Sequence, residues 1–126
     1  MLTFNLKKEW FDKIKSDEKT HEYRLCTDYW DIRVLNLLKK YLDPDEKELG
    51  LDWTKRSQST RSNFSIPIKA PCRFTLGYPS NDDKERILYG IITHIWLSNN
   101  KIDNLNSDLH TEEPIYDFEF ELIKEQ

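Results

Sequence analysis

Within six residues, from Lys19 to Arg24, the chain places an ammonium, a hydroxyl, a carboxylate and a guanidinium. Read as a strand, whose side chains alternate between faces, the segment puts Thr20, Glu22 and Arg24 on one side and His21, Tyr23 and Leu25 on the other. Lys19 stands at the strand entry, free to turn either way. A carboxylate two residues from an arginine on one face pairs with it and leaves spare guanidinium N–H groups for a ligand oxygen. In a binding chemistry, Lys19 and Arg24 contact phosphate or a base edge. Glu22 then orients Arg24 and accepts from an exocyclic amine such as that of cytosine, while Tyr78 or Trp53 supplies a stacking face. In a catalytic chemistry, a lysine kept neutral by burial or by a neighbouring cation acts as a base. A hydroxyl or water beside it then attacks a carbonyl or a phosphate, with Lys19, Thr20, Glu22 and Tyr78 as the candidate set. A purely structural alternative has Glu22 and Arg24 as an ion pair that closes the fold.

The flanking sequence must position these groups. Leu2 to Leu6 alternates apolar and polar and reads as a strand with Leu2, Phe4 and Leu6 inward. Lys7 to Ser16 reads as a helix with Trp10, Phe11 and Ile14 on its apolar side and Lys8, Asp12 and Lys15 in solvent. Thr27 and Asp28 offer an N-cap to a second helix over Tyr29 to Leu42, striped by Trp30, Val34, Leu37, Leu38 and Tyr41. Asp43-Pro44 ends it. Arg33 lies one turn beyond Tyr29 and is a candidate to enter the same cleft as Arg24, or to lie on the surface.

Asp43 to Ser65 has no period. Its second half sets Lys55, Arg56 and Arg61 among small hydroxyl and amide side chains between Trp53 and Phe64, a composition suited to backbone contacts and base stacking. Ile66 to Pro71 carries two prolines and is expected to be at best an edge strand. Cys72 to Leu76 reads as a strand running into the turn cluster from Gly77 to Asp83. Ile87 to Leu97 is apolar on both faces, as a strand packed on two sides would be, and Gly90 within it suggests a bulge or bend. His94 is read as a hydrogen-bonded structural histidine, since nothing near it has metal spacing. Ser98 to Pro114 is a polar loop. Ile115 to Ile123 then alternates, with Tyr116, Phe118, Phe120 and Leu122 inward and Asp117, Glu119 and Glu121 outward.

Composition bounds the answer. The 126 residues are expected to form one domain, 1–126, and 13% aromatic content argues for a folded chain despite 33% charge. No apolar run approaches the roughly 20 residues of a membrane span. The start is too short and too charged for a signal peptide, so a cytoplasmic location without membrane contact is expected. Cys26 and Cys72 lack metal spacing and are expected to be buried free thiols; no metal or cofactor is called for. The net charge is −4, unevenly spread. Residues 1–73 carry 15 Lys and Arg against 12 Asp and Glu, residues 74–126 carry 4 against 11, and no acid occurs from Trp53 to Asn81. A basic region binds phosphate even on an acidic molecule, because screening limits repulsion beyond about 10 Å.

The stretch around Lys19 resembles the signature of the ASCH domain family, Gly-x-Lys-Thr-x-Glu-x-Arg after a short helix. Lys19, Thr20, Glu22 and Arg24 match in register, and Asp17 stands where the family has glycine. Asp is one of the few residues that tolerate the left-handed backbone such a glycine adopts. Tyr29, Trp30 and Arg33 are similar to a Tyr-Trp-x-x-Arg continuation in bacterial and phage ASCH-like proteins. The resemblance implies an α+β fold: a PUA-like β-barrel of five to six strands with two flanking helices. It also implies RNA, or a modified nucleotide or nucleoside, as partner. One family branch hydrolyses acetylated cytidine with a lysine matching Lys19 and a threonine two residues beyond Thr20. Glu22 occupies that place here, which argues against that activity. A hydrolase with Lys19 as base, and Glu22 beside it, remains the enzymatic alternative. A protein-interaction accessory factor using exposed aromatics is a third.

Overall fold

Eight residues, Lys8–Lys15, coil into α1 because Phe11 and Ile14 share a face that the core buries, with Trp10 beside them. Glu9 in the first turn and Lys13 and Lys15 in the last match the helix dipole. Asp17 then adopts the left-handed conformation, with φ 66°, expected of the position where a glycine would stand. That reversal brings the Asp17 amide onto the Ile14 carbonyl and the Lys19 amide onto the Lys13 carbonyl, which sets where the Lys19 side chain leaves the backbone.

The computed structural model describes residues 1–42, 64–80, 82–98 and 114–124. Lys55, Arg56, Arg61 and Trp53 lie outside the described residues. The chain is α+β. β1 (Leu2–Leu6), α1, β2 (His21–Leu25) and α2 (Asp28–Tyr41) are followed by β3 (Phe64–Leu76), a single 3-10 turn (Lys84–Arg86), β4 (Ile87–Ser98) and β5 (Ile115–Leu122). The strands form one curled, half-barrel sheet in the order β1-β3-β4-β5-β2. β1 runs parallel to β3, and every other neighbour is antiparallel. Among the described residues the five strands and two helices fall within the expected count. Among the described residues β1 and β2 are the two edges, so the sheet is open between them. No helix is long and apolar enough to cross a membrane among the described residues.

The core fills the concave side. Phe4 stacks on Phe74 and Trp30 and meets Phe118 edge-on, while Val34, Leu37 and Leu38 of α2 close over it. The Thr27 hydroxyl accepts from the Trp30 amide and caps α2, as its sequence position predicts.

Three local expectations change. β3 is one strand of 13 residues, not an edge piece followed by a strand. Its prolines are tolerated because β1 pairs only with Cys72–Leu76, so among the described residues Pro67 and Pro71 lie where β3 has β4 alone as partner. β4 is not packed on two faces. Its register slips between Ile92 and His94. Gly90 and Ile92 therefore face the core before the slip, and Ile95 and Leu97 after it. The bulge changes the phase of the alternation, which makes a one-sided strand read as apolar throughout. Gly90 is not that bulge. A Cβ there would lie 2.9 Å from the Glu121 carbonyl oxygen, so it is a glycine of close approach. Of the two thiols, Cys72 is buried, and burial pushes it up to about 12, partly offset by its hydrogen bond with the Gly90 backbone. Cys26 is only half-buried.

Candidate functional site

Alternation along β2 places the groups as the sequence predicts. Glu22 and Arg24 point to the concave side, and His21 and Tyr23 stack on the convex side. The Glu22 carboxylate is the centre of the inner cluster. Its Oε1 accepts from Arg24 Nη1 at 2.8 Å and from the Tyr23 amide at 3.0 Å, and it lies 3.5 Å from Lys19 Nζ. The Lys19 head also lies over the Trp10 ring, 4.8 Å from its centroid, and over the Tyr23 ring at 5.5 Å. β2 is an edge strand, so the lysine can reach round it to touch groups on both faces. The Arg24 guanidinium rests on Phe4 and Trp30, 5.2 and 5.3 Å from their centroids, and thus spans the opening between the two edge strands.

The three heads converge, but they are not equally accessible. The Lys19 side chain is 1% exposed, that of Glu22 4% and that of Arg24 20%. Lys19 therefore does not present its ammonium to solvent, and the arginine edge is the open side of the cluster. Glu22 Oε2 is buried and has no hydrogen-bond partner among the described residues. Both Arg24 hydrogen bonds use Nη1, the second to the Tyr23 carbonyl, so Nε and Nη2 have no partner among the described residues.

The remaining predicted residues lie elsewhere. Thr20 is exposed just ahead of β2, and its carbonyl, not its hydroxyl, is engaged, accepting from the Phe120 amide. Tyr78 is 89% exposed on the turn after β3 and makes no ring contact among the described residues. Arg33 does not join Arg24. It lies flat on Tyr29, 3.2 Å from the ring centroid, and donates to the Tyr29 carbonyl. It lines a separate hollow between α2 and β1.

One cluster is absent from the sequence reading. On the convex face, the register of β2, β5 and β4 sets His21, Glu119 and His94 in one row and Tyr23, Asp117 and Trp96 in the next. His21 Nδ1 is 2.7 Å from Asp117 and its Nε2 3.3 Å from Glu119; His94 Nδ1 is 3.0 Å from the other Glu119 oxygen. The outward alternation of β2 and β5 was legible, but the row exists only once two registers, β2 on β5 and β5 on β4, are known. The hydrogen bond to Asp117 is the largest cause holding the His21 imidazole above its ordinary 6.5; burial opposes it, the charges of Asp117 and Glu119 add to it, and Lys19 opposes it. Burial, with repulsion from Asp117 and Glu22, pushes the Tyr23 phenol up to about 12, so it stays protonated near neutrality.

A pH dependence follows with a definite sign. His21 binds its proton more tightly folded than unfolded, so its contribution is fully present below the unfolded value of about 6.5 and is lost as pH rises through the higher folded value. The parent is expected to exceed His21→Gln in denaturant midpoint by more at pH 5.5 than at pH 8.5. Equal differences at both would mean that the Asp117 contact does not couple to folding.

Compared with family models, curated proteins and solved structures, the chain matches none.

Proposed function

We propose that the chain is an RNA- or nucleotide-binding domain of the PUA-like, ASCH kind, reading a base at the Glu22–Arg24 edge of the inner cluster. The observation that carries this reading is the buried Glu22 Oε2 without a donor, beside an arginine whose Nε and Nη2 are uncommitted. A buried acceptor left unmade costs about 1–3 kcal/mol. The exocyclic amine of cytosine or adenine would satisfy it, and the free Arg24 fork suits a base oxygen or a phosphate. Trp30 and Phe4, stacked on each other, both lie against the guanidinium and keep that fork in one orientation. Lys19 serves here as the buried counter-charge of Glu22 rather than as a phosphate contact. No observation favours a hydrolytic role for it.

The test is equilibrium titration of short cytosine-rich and uracil-rich RNAs at two salt concentrations. The parent is expected to prefer cytosine and to weaken as salt rises. Arg24→Gln, checked for folding by circular dichroism, is expected to lose at least tenfold. A folded Arg24→Gln that binds as the parent does, or a parent that binds neither RNA at low salt, ends this reading.

A further inference from the structure

α2 carries Tyr29, Arg33, Asn36 and Lys40 at spacings of four, three and four, which places all four on one strip of the helix. That strip faces β1 across a hollow of about 410 Å³ that Tyr41 also lines. The volume lies in the range of small-ligand sites, roughly 300–1,000 Å³. Arg33 and Lys40 line it two turns apart, about 10 Å along the helix axis. Among the described lining residues none is acidic. Of the two carboxylates in the first turn of α2, Asp28 does not line the hollow, and Asp31 is committed elsewhere, accepting from the buried Tyr116 hydroxyl. On the β1 side, Thr3 also lines the hollow, and its hydroxyl accepts from Arg73 Nε at 2.7 Å.

Arg33 is built to receive an anion. Its guanidinium lies flat on Tyr29, and the Tyr29 carbonyl takes one Nη1 hydrogen. Both contacts fix its plane. Nε and Nη2 have no partner among the described residues, and they form the edge that recognises a phosphate through two parallel hydrogen bonds. Asn36, between the two cations, offers both a donor and an acceptor. Tyr29, 57% exposed, and the half-buried Tyr41 offer ring surfaces at the two ends. Phosphate-binding cations, an amide and aromatic faces in one hollow of this size suit a small planar ring bearing a phosphate.

We infer that the α2–β1 hollow is a second binding site, which takes a phosphorylated nucleoside with its phosphate on Arg33 and its ring against a tyrosine. The site shares no residue with the Glu22–Arg24 edge, and its test separates the two. Adenosine 5′-monophosphate added to ¹⁵N-labelled protein is expected to shift the Asn36 side-chain amide and the Thr3–Asn5 backbone amides. Arg33→Ala/Lys40→Ala is expected to weaken that binding at least tenfold, while Arg24→Gln leaves it unchanged. Adenosine without its phosphate is expected to bind at least tenfold more weakly. Competition by a 5′-phosphorylated trinucleotide would assign the site to a strand end, and failure to compete would assign it to the free nucleotide; either outcome supports the site. No shift at Asn36, unchanged affinity in the folded double variant, or equally tight binding of inorganic phosphate overturns it.

Discussion

Glu22→Ala is expected to destabilise the protein by about 3–5 kcal/mol, the cost of breaking a buried ion pair from one side. The carboxylate lies against both cations of the cluster, 2.8 Å from Arg24 and 3.5 Å from Lys19, and Lys19 is 1% exposed. Its removal leaves the Lys19 charge buried without its counter-charge, with the Arg24 guanidinium nearby at the open edge. The Trp10 and Tyr23 faces over Lys19 offset only part of this, since each cation–π contact contributes about 0.5–2 kcal/mol. Glu22→Gln keeps an acceptor for Arg24 and the Tyr23 amide and is expected to lose less. Lys19→Met/Glu22→Leu, which removes the charge with its partner, is expected to recover a large part of the loss. Chemical denaturation of the four proteins checks the order. A cost below 1 kcal/mol for Glu22→Ala would mean that solvent screens the Lys19–Glu22 pair and that the pair does not brace the fold beneath the Arg24 edge.

That distinction is where the sequence stops being informative. Alternation in His21–Leu25 already predicts that Glu22 and Arg24 share a face, because it depends only on strand geometry. Whether that face opens to solvent depends on the neighbours. β2 lies at an edge, Trp10 comes back from α1 over Lys19, and Phe4 and Trp30 carry Arg24 across the gap to β1. None of these approaches has a local signature. The turn that aims Lys19 does have one: Asp17 where a glycine is expected, and the backbone there is left-handed. Arg33 shows the same limit on a helix. Its spacing from Tyr29 is plain, and the pair is made, yet the direction of the pair around α2 is set by which stripe the core takes.

For the fold, the elements with one uninterrupted period were legible. The inward aromatics of β5 and the α2 stripe are examples, since each follows one hydrophobic face. The misread elements are those whose period is broken by a partner. Prolines in β3 look like strand breakers until it is known that half the strand has a single described neighbour. A bulge in β4 turns a one-faced pattern into a two-faced one. The convex row of His21, Glu119 and His94 needs two registers at once, and no single segment encodes it.

Phe4→Ala is the substitution in which fold and proposed function meet. Phe4 is fully buried, with its ring 5.6 Å from Trp30, 5.4 Å from Phe74, 5.1 Å from Phe118 and 5.2 Å from the Arg24 guanidinium. Truncating a buried phenylalanine costs about 3–5 kcal/mol through lost transfer energy and the cavity it leaves. Three ring pairs, each worth about 0.5–1.5 kcal/mol beyond area, place this site toward the upper end. The loss is also directional. Phe4 is on one edge strand and Arg24 on the other, so the ring is the platform on which the arginine crosses the opening in the sheet. Phe4→Leu refills most of the volume without the π face. It is expected to cost about 1–2 kcal/mol, in the range of hydrophobic swaps of similar size. It is expected to weaken RNA binding by more than its modest destabilisation explains, because Arg24 then loses one of its two rings. Denaturation and RNA titration of the same folded Phe4→Leu sample decide between the roles. Reduced stability with unchanged affinity would make Phe4 a core residue alone, and would separate the arginine's orientation from the packing beneath it.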